Sequence, residues 1–277
     1  MIGDQQAALL GQGGVRRGDA KNTFGTGCFL LVHTGEDAPP PPVGILATPA
    51  AGLRSTTAAS PSSPAPPAPP APQAFAREGS VFIGGALVQW LRDGLGFIRD
   101  AADIEPLAAS VPDTGGVMLV PAMTGLGAPW WDPRARGTIL GLTRGTSRAH
   151  IARAALEGIA HSVADLVDAM TGTPDAPRPT ELRVDGAAAA NDLLMQIQAD
   201  LLGADVVRPR MLETTALGAA IMAADTAGAW TRPLEAAAAR HVEHRFTPRI
   251  GDAERRRVRE RWRGAVGRSR DWAADED

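Results

Sequence analysis

The sequence predicts an α/β protein, a sheet flanked by helices, and three observations lead to that class. Short apolar runs of strand length recur at residues 29–32, 44–47 and 117–120. A long apolar repeat at helical spacing runs from about Ser147 to Met170. From Leu182 onward strands and helices alternate, the signature of a layered α/β structure. With 277 residues, 44% of them hydrophobic, the chain has enough apolar material for one large core or two modest ones.

The elements follow in order. After the strands at 29–32 and 44–47, residues 82–97 read as a helix with Leu87, Trp90, Leu91 and Leu95 on one face. The strand at 117–120 leads to the long helix, for which Ser147 is the N-cap and Ile151, Ala155, Ile159, Val163, Leu166 and Met170 form the buried stripe. A strand at 182–184, a helix at 188–202 and a short strand at 206–207 before Pro209 come next. The Ala-rich segment 214–227 is helical, with Gly228 placed to end it, and residues 253–272 form a last helix. From about 37 to 73 Pro, Ala and Ser dominate, and 61–72 reads PSSPAPPAPPAP. Proline lacks the amide donor and fixes φ, so this insert is expected to be an extended, solvated excursion without regular structure.

Composition narrows the function. A formal charge of −3 argues against a nucleic-acid partner, which would want a basic face. The basic tail, Arg255, Arg256, Arg257, Arg259, Arg261 and Arg263, is interleaved with Glu254, Glu260 and Asp271 and reads as a solvated helix face. Cys28 is the single cysteine, which excludes an internal disulfide, fits a reducing compartment and reads as a small buried hydrophobe. No apolar run approaches the ~20 residues of a membrane span. The first residues show no signal-peptide pattern, so a cytoplasmic location is expected. The five histidines have no metal-ligand spacing, and no residue is assigned to a metal.

Three glycine-rich elements could approach a phosphate. Residues 22–27 (NTFGTG) precede a strand, and Gly25 and Gly27 permit a tight turn with the Thr26 hydroxyl between them; an ordinary hairpin turn fits equally well. Gly84-Gly85 stands at a helix start, and Asp185-Gly186-Ala187 joins a strand to a helix opening near Asn191. Helix N-termini offer free amides and a positive dipole end to anions, though such junctions are common in α/β folds. No Gly-Lys-Ser/Thr follows any of the three, so none is a Walker A loop. Asp132, before Pro133, reads as a turn residue.

Longer strings carry a resemblance. Residues 3–8 (GDQQAA), 21–29 (KNTFGTGCF), 78–93 and 124–145 (beginning TGLGAPWWDP) closely resemble the glycerol kinase members of the FGGY carbohydrate kinase family. So do 182–191, 214–220 and the tail with Trp262 and Trp272. The resemblance covers nearly the whole chain outside the Pro-rich insert. It implies an actin-like ATPase (ribonuclease H-like) fold, a mixed sheet with flanking helices, and ATP-dependent phosphorylation of glycerol with Mg²⁺. It further implies Asp4 as catalytic base and glycerol ligand, Gln5 as a glycerol ligand and Phe29 as an apolar wall of that pocket. Thr26 would contact the terminal phosphates, while Gly85, Gln89 and Asn191 would hold the nucleoside. Ala187 stands where the family usually has a second glycine, and its methyl would crowd a nucleotide phosphate.

The family's first domain precedes the Gly-Asp-Gln-Gln segment. Residues 1–14 are therefore expected to be a remnant of that domain, a strand and helix parted from their sheet, and residues 15–277 the C-terminal nucleotide-binding domain. Without the first phosphate loop, the metal-binding acid and the Arg-Glu pair that grips glycerol, the chain alone is expected to be inactive. Glycerol and ATP or ADP are the expected partners, and homo-oligomerisation is open. The alternatives are a non-catalytic nucleotide- or partner-binding kinase remnant and an FGGY kinase acting on another polyol or sugar.

Overall fold

The structure, a computed structural model, describes residues 2–36, 40–51, 73–173, 176, 178–227, 229 and 242–273. Its elements are α1 (Asp4–Gly11), β1 (Ala20–Phe24), β2 (Cys28–Gly35), β3 (Leu46–Ala50), β4 (Ala74–Val81), α2 (Gly85–Asp93) and α3 (Ile104–Ala109). They continue as β5 (Met118–Val120), β6 (Thr138–Leu140), α4 (Arg148–Thr171), β7 (Glu181–Asp185), α5 (Asp192–Leu202), β8 (Asp205–Pro209), α6 (Thr214–Ala227), β9 (Val242–Phe246) and α7 (Asp252–Ser269). Most of the strands form one mixed sheet in the order β3-β4-β2-β1-β7-β8-β9, and β5 and β6 pair separately. β1 is central, antiparallel to β2 and parallel to β7, which is parallel to β8.

Alternation along the strands sends residues to two faces. Ala20, Phe24, Leu30, Val32, Leu182 and Val184 join the core formed with α4 and α5. Leu31 and Ala76 face the other way and meet Leu9 of α1. Helices therefore cover both faces of the central strands, which explains why these strands are buried throughout.

Several expectations are met and several corrected. α4 keeps the stripe read from its periodicity, with Ser147 at its N-cap donating its amide to His150 Nδ1 at 3.1 Å. The segment read as helix over 82–97 is helical over Gly85–Asp93; beyond it Gly96 takes φ +63°, the chain turns, and Leu95 is left exposed. α5 begins at Asp192, because 187–190 tighten into a 3₁₀ turn and Asn191 caps the helix through Oδ1, accepting from the Leu194 amide at 2.8 Å. The strand read at 44–47 is present but shifted to Leu46–Ala50, inside the stretch otherwise expected to be irregular; it is an edge strand antiparallel to β4, and Pro49 is tolerated because one side of an edge strand needs no donor. The rest of the Pro-rich run at 52–72, residues 37–39 and Gly228 lie outside the described residues.

Of the strand and helix expected at the start of the chain, the helix is present as α1, and no strand precedes it among the described residues. Ala7, Ala8, Leu9, Leu10 and Gly11 of α1 are buried. α1 crosses α6 so closely that a Cβ on Gly218 would overlap the Ala7 carbonyl oxygen and one on Gly11 the Thr214 carbonyl oxygen.

The basic tail is also not wholly a solvated face. Arg259 of α7 is buried, its Nη2 donating to Asp165 Oδ1 at 2.6 Å and Asp168 Oδ2 at 2.8 Å, its Nη1 to the His161 carbonyl at 3.0 Å. Burial, reinforced by Arg259, drives the His161 imidazole well below its ordinary pKa. With a guanidinium N–H 3.2 Å from Nδ1, the neutral ring must carry its proton on Nε2.

Candidate functional site

The chain crosses from β1 to β2 through Gly25-Thr26-Gly27, and this turn is locked onto the start of α2. The Gly84 and Ala86 amides donate to the Thr26 carbonyl at 2.8 and 3.1 Å, and the Gly85 amide to the Gly25 carbonyl at 2.8 Å. A Cβ on Gly27 would lie 2.5 Å from the Val81 carbonyl oxygen, and one on Gly85 2.8 Å from that of Gly25. The glycines thus let two backbones touch, and two elements that seemed separate in sequence are one unit. The third joins them: Gly186, at φ +83°, packs the β7–α5 junction onto β1 so closely that a Cβ on it would lie 2.6 Å from the Phe24 carbonyl oxygen.

These elements enclose a cavity of about 550 Å³. Thr26, Gly85, Gln89, Ala187 and Asn191 all line it, with Val88, Leu156 and Ile159 among its apolar walls. Gln89, Arg92 and Glu105 add polar groups, and Glu105 Oε1 accepts the Leu193 amide at 2.9 Å, reinforcing the start of α5. Asn191 spends Oδ1 on its cap, which leaves Nδ2 as its donor toward the cavity. Its volume falls in the range of small-molecule sites, and two helix N-termini, those of α2 and α5, converge on it.

On the opposite face of the sheet, Asp4 opens α1 and is exposed. Its Oδ1 accepts the Gln5 amide at 2.8 Å and its Oδ2 the Gln5 Nε2 at 3.3 Å. Behind Gln5 lies Lys21, a residue that sequence reasoning missed, because an isolated lysine in a strand ordinarily reads as surface. Its Nζ donates to Gln5 Oε1, to Thr23 Oγ1 at 2.8 Å and to the Phe29 carbonyl at 3.4 Å. Burial lowers this ammonium to about 8, against the pull of Asp185, Glu78 and Asp4. Burial raises the Glu78 carboxyl, opposed by Lys21; Gln6 Nε2 bridges Glu78 Oε2 at 3.2 Å and Thr48 Oγ1 at 2.9 Å. Asp185 accepts the Thr214 hydroxyl.

The β1–β2 hairpin connects the two regions, with Phe24 and Thr26 on the cavity and Thr23 and Phe29 beside Lys21. Cys28 stands apart from both: it is fully buried, and burial pushes its thiol up to about 12. Asp132 is a structural turn residue, its Oδ1 accepting the Arg134 and Ala135 amides at 2.9 and 3.0 Å. Among the described residues no group of three or more His, Cys, Asp or Glu is placed to hold a metal ion. No helix among them is long and apolar enough to cross a membrane.

The chain is similar to known proteins. The family described as "FGGY family of carbohydrate kinases, C-terminal domain" matches residues 20–227. A glycerol kinase of Aromatoleum aromaticum is 57% identical over 272 residues, 98% of this chain and 51% of that protein. One from Deinococcus radiodurans is 49% identical over 275 residues, 99% of this chain and 52% of that protein. The crystal structure of Plasmodium falciparum glycerol kinase with ADP superposes with a TM-score of 0.83 at 32% identity, covering 97% of this chain and 50% of the other. The chain spans about half the length of these relatives.

Proposed function

The chain belongs to the FGGY family of carbohydrate kinases, and on that premise we propose that it is the nucleotide-binding half of an ATP:glycerol phosphotransferase acting in the cytoplasm. Its mixed sheet with flanking helices is the actin-like ATPase architecture of that family. The observation that carries the reading is the convergence of Thr26, Gly85, Gln89, Ala187 and Asn191 on one cavity. The nucleoside lies against Val88, Leu156 and Ile159, with Gln89 and Asn191 Nδ2 on its polar edges. The Thr26 hydroxyl, exposed on the hairpin turn, meets the terminal phosphates.

Glycerol binds on the other face of the hairpin, on Asp4 and Gln5, with Phe29 as the apolar wall. Asp4 is the base, but full deprotonation before transfer is excluded on energy. A carboxylate is a far weaker base than an alkoxide, so removing the hydroxyl proton before transfer would itself add a large barrier. In a loose phosphoryl-transfer transition state the nucleophile needs little charge, so Asp4 orients the hydroxyl and takes its proton late. Most of the acceleration comes from positioning and electrostatics around the transferred group. Mg²⁺ would neutralise phosphate charge, but the described residues form no metal site, so none of them is assigned to it.

Turnover needs the counterpart of the relatives' other half, since one wall of a cleft cannot hold both reactants in line. That alignment is worth ~7–11 kcal/mol of barrier. The test is calorimetry of ADP with residues 1–277, then an assay for glycerol 3-phosphate with and without a relative's first half joined to the chain. ADP binding with activity confined to the joined form is expected, and Asp4→Asn should abolish that activity with the fold intact. Absence of ADP binding, or transfer to a sugar in preference to glycerol, would overturn the reading.

A further inference from the structure

Lys21 has no role in the reading above, yet it is fully buried in the central strand of a seven-stranded sheet. An ammonium can only donate, and it has three protons to place. They go to Gln5 Oε1, Thr23 Oγ1 and the Phe29 carbonyl. Two of those three acceptors belong to residues assigned to glycerol.

The consequence falls on Gln5. The two ends of a side-chain amide are nearly the same shape, so their partners decide which faces where. Opposite an ammonium, the oxygen of Gln5 must turn inward. Its nitrogen is then directed at Asp4 Oδ2, 3.3 Å away, while the Gln5 backbone amide holds Oδ1 at 2.8 Å. Both oxygens of Asp4 are therefore held by Gln5, and the orientation of Gln5 is held by Lys21.

We propose that Lys21 is a positioning residue for the acceptor end of the site: it fixes the Gln5 amide so that its nitrogen faces Asp4, and so sets the plane of the Asp4 carboxylate for the incoming hydroxyl. This deepens the assignment of Asp4 and Gln5 to glycerol and rests on it. Lys21 acts through Gln5, because burial keeps it from the substrate. The charged groups that face it are Asp185 of β7, Glu78 of β4 and Asp4 of α1; α6 contributes Thr214, bound to Asp185. With the ammonium lowered to about 8, the relay is intact at neutral pH and is released above that point, when Nζ can also accept and the amide of Gln5 is free to turn.

The experiment follows the Gln5 side-chain amide by ¹⁵N NMR in the full 277-residue chain, with Gln5→Glu identifying the signal. A titration of the two amide protons with a midpoint near 8 is expected, and in Lys21→Met the signal should be pH-independent and match the alkaline wild type. In the kinase completed by the relatives' other half, Lys21→Met should lower kcat for glycerol by roughly tenfold or more, leave KM for ATP unchanged and remove the alkaline limb near 8. A Gln5 amide indifferent to pH overturns the relay, and this arm needs no variant, so it stands even where Lys21→Met does not fold. Should the relay titrate while glycerol neither binds nor reacts, the assignment of glycerol fails and the Lys21–Gln5 relay does not.

Discussion

Trp262 of α7 stacks flat on His161 of α4, ring centroids 4.8 Å apart and planes within 6°. The indole Nε1 donates to Asp165 Oδ2 at 2.8 Å, one helical turn further along α4. Arg259 holds the other oxygen of the same carboxylate. The tail helix is thus fastened by one aromatic plate and one shared acid, and its loss should be felt across the molecule. Trp262→Ala is expected to lower stability by about 3–5 kcal/mol, the range for deleting a large buried aromatic. Chemical denaturation measures it; a change below about 1 kcal/mol would show that the helix is not integral to the core.

Gly27→Ala tests the clamp between hairpin and helix. The new Cβ would stand 2.5 Å from the Val81 carbonyl oxygen, a backbone atom that cannot swing aside. A cost of about 1–3 kcal/mol is expected. ADP affinity should fall with it, because the turn carrying Thr26 is forced away from Gly85. Calorimetry and thermal unfolding on the same sample separate the two effects, and unchanged ADP affinity would dissociate the turn from the nucleotide.

Ala187→Gly should act in the opposite direction on the nucleotide. Ala187 lines the cavity, and the resemblance implies a glycine at this position, so removing its methyl is expected to tighten ADP binding. Poorer or equal affinity means that the methyl is not an obstacle.

The pH dependence of stability has a signature of its own. Lys21 is lowered from 10.5 to about 8, so below about 8 both states are protonated and the native state bears the full burial cost. As pH climbs past 8 the native state sheds its proton first, and stability rises by about 1 kcal/mol by pH 9. Cys28 works the other way: its thiol is raised from 9.0 to about 12, so above 9 the unfolded chain ionises first and stability is lost. A rise from 8 to 9 followed by a plateau is expected in denaturation midpoints. Lys21→Met should erase the rise and Cys28→Ala should prolong it. The buried Cys28 should also resist thiol reagents in the native state, and rapid labelling would contradict its packing.

How much of this was legible depended on where the polar residues went. α4, with 24 residues and a repeating apolar stripe, was read nearly to its ends. β1 was invisible as an element, because Lys21 and Asn22 are fully buried in a strand whose composition looks exposed. β4 hid for the same reason, with Arg77 buried and donating to the Met170 carbonyl. β9 is short, at an edge and exposed except at Phe246, so no hydrophobic pattern marks it. The three glycine-rich elements were found one by one. Nothing local reveals that Gly27, Gly85 and Gly186 exist to let three backbone segments touch one another, since that is a property of packing between distant parts of the chain. Lys21 could be found only once β1 was known to be central.

The crossing of α1 and α6 ties the two regions of the site together. At Gly11 and Gly218 the backbones meet with no side chain between them, each glycine against a carbonyl oxygen of the other helix, and beside these contacts Leu10 and Ile221 share a buried apolar cluster. Asp4 stands at the start of α1, while Thr214, at the start of α6, donates to Asp185 at the strand end that feeds the 187–190 turn. Through Thr214 and Asp185 the helix pair thus joins the end of α1 that carries Asp4 to the strand end that leads to the cavity lip at Ala187.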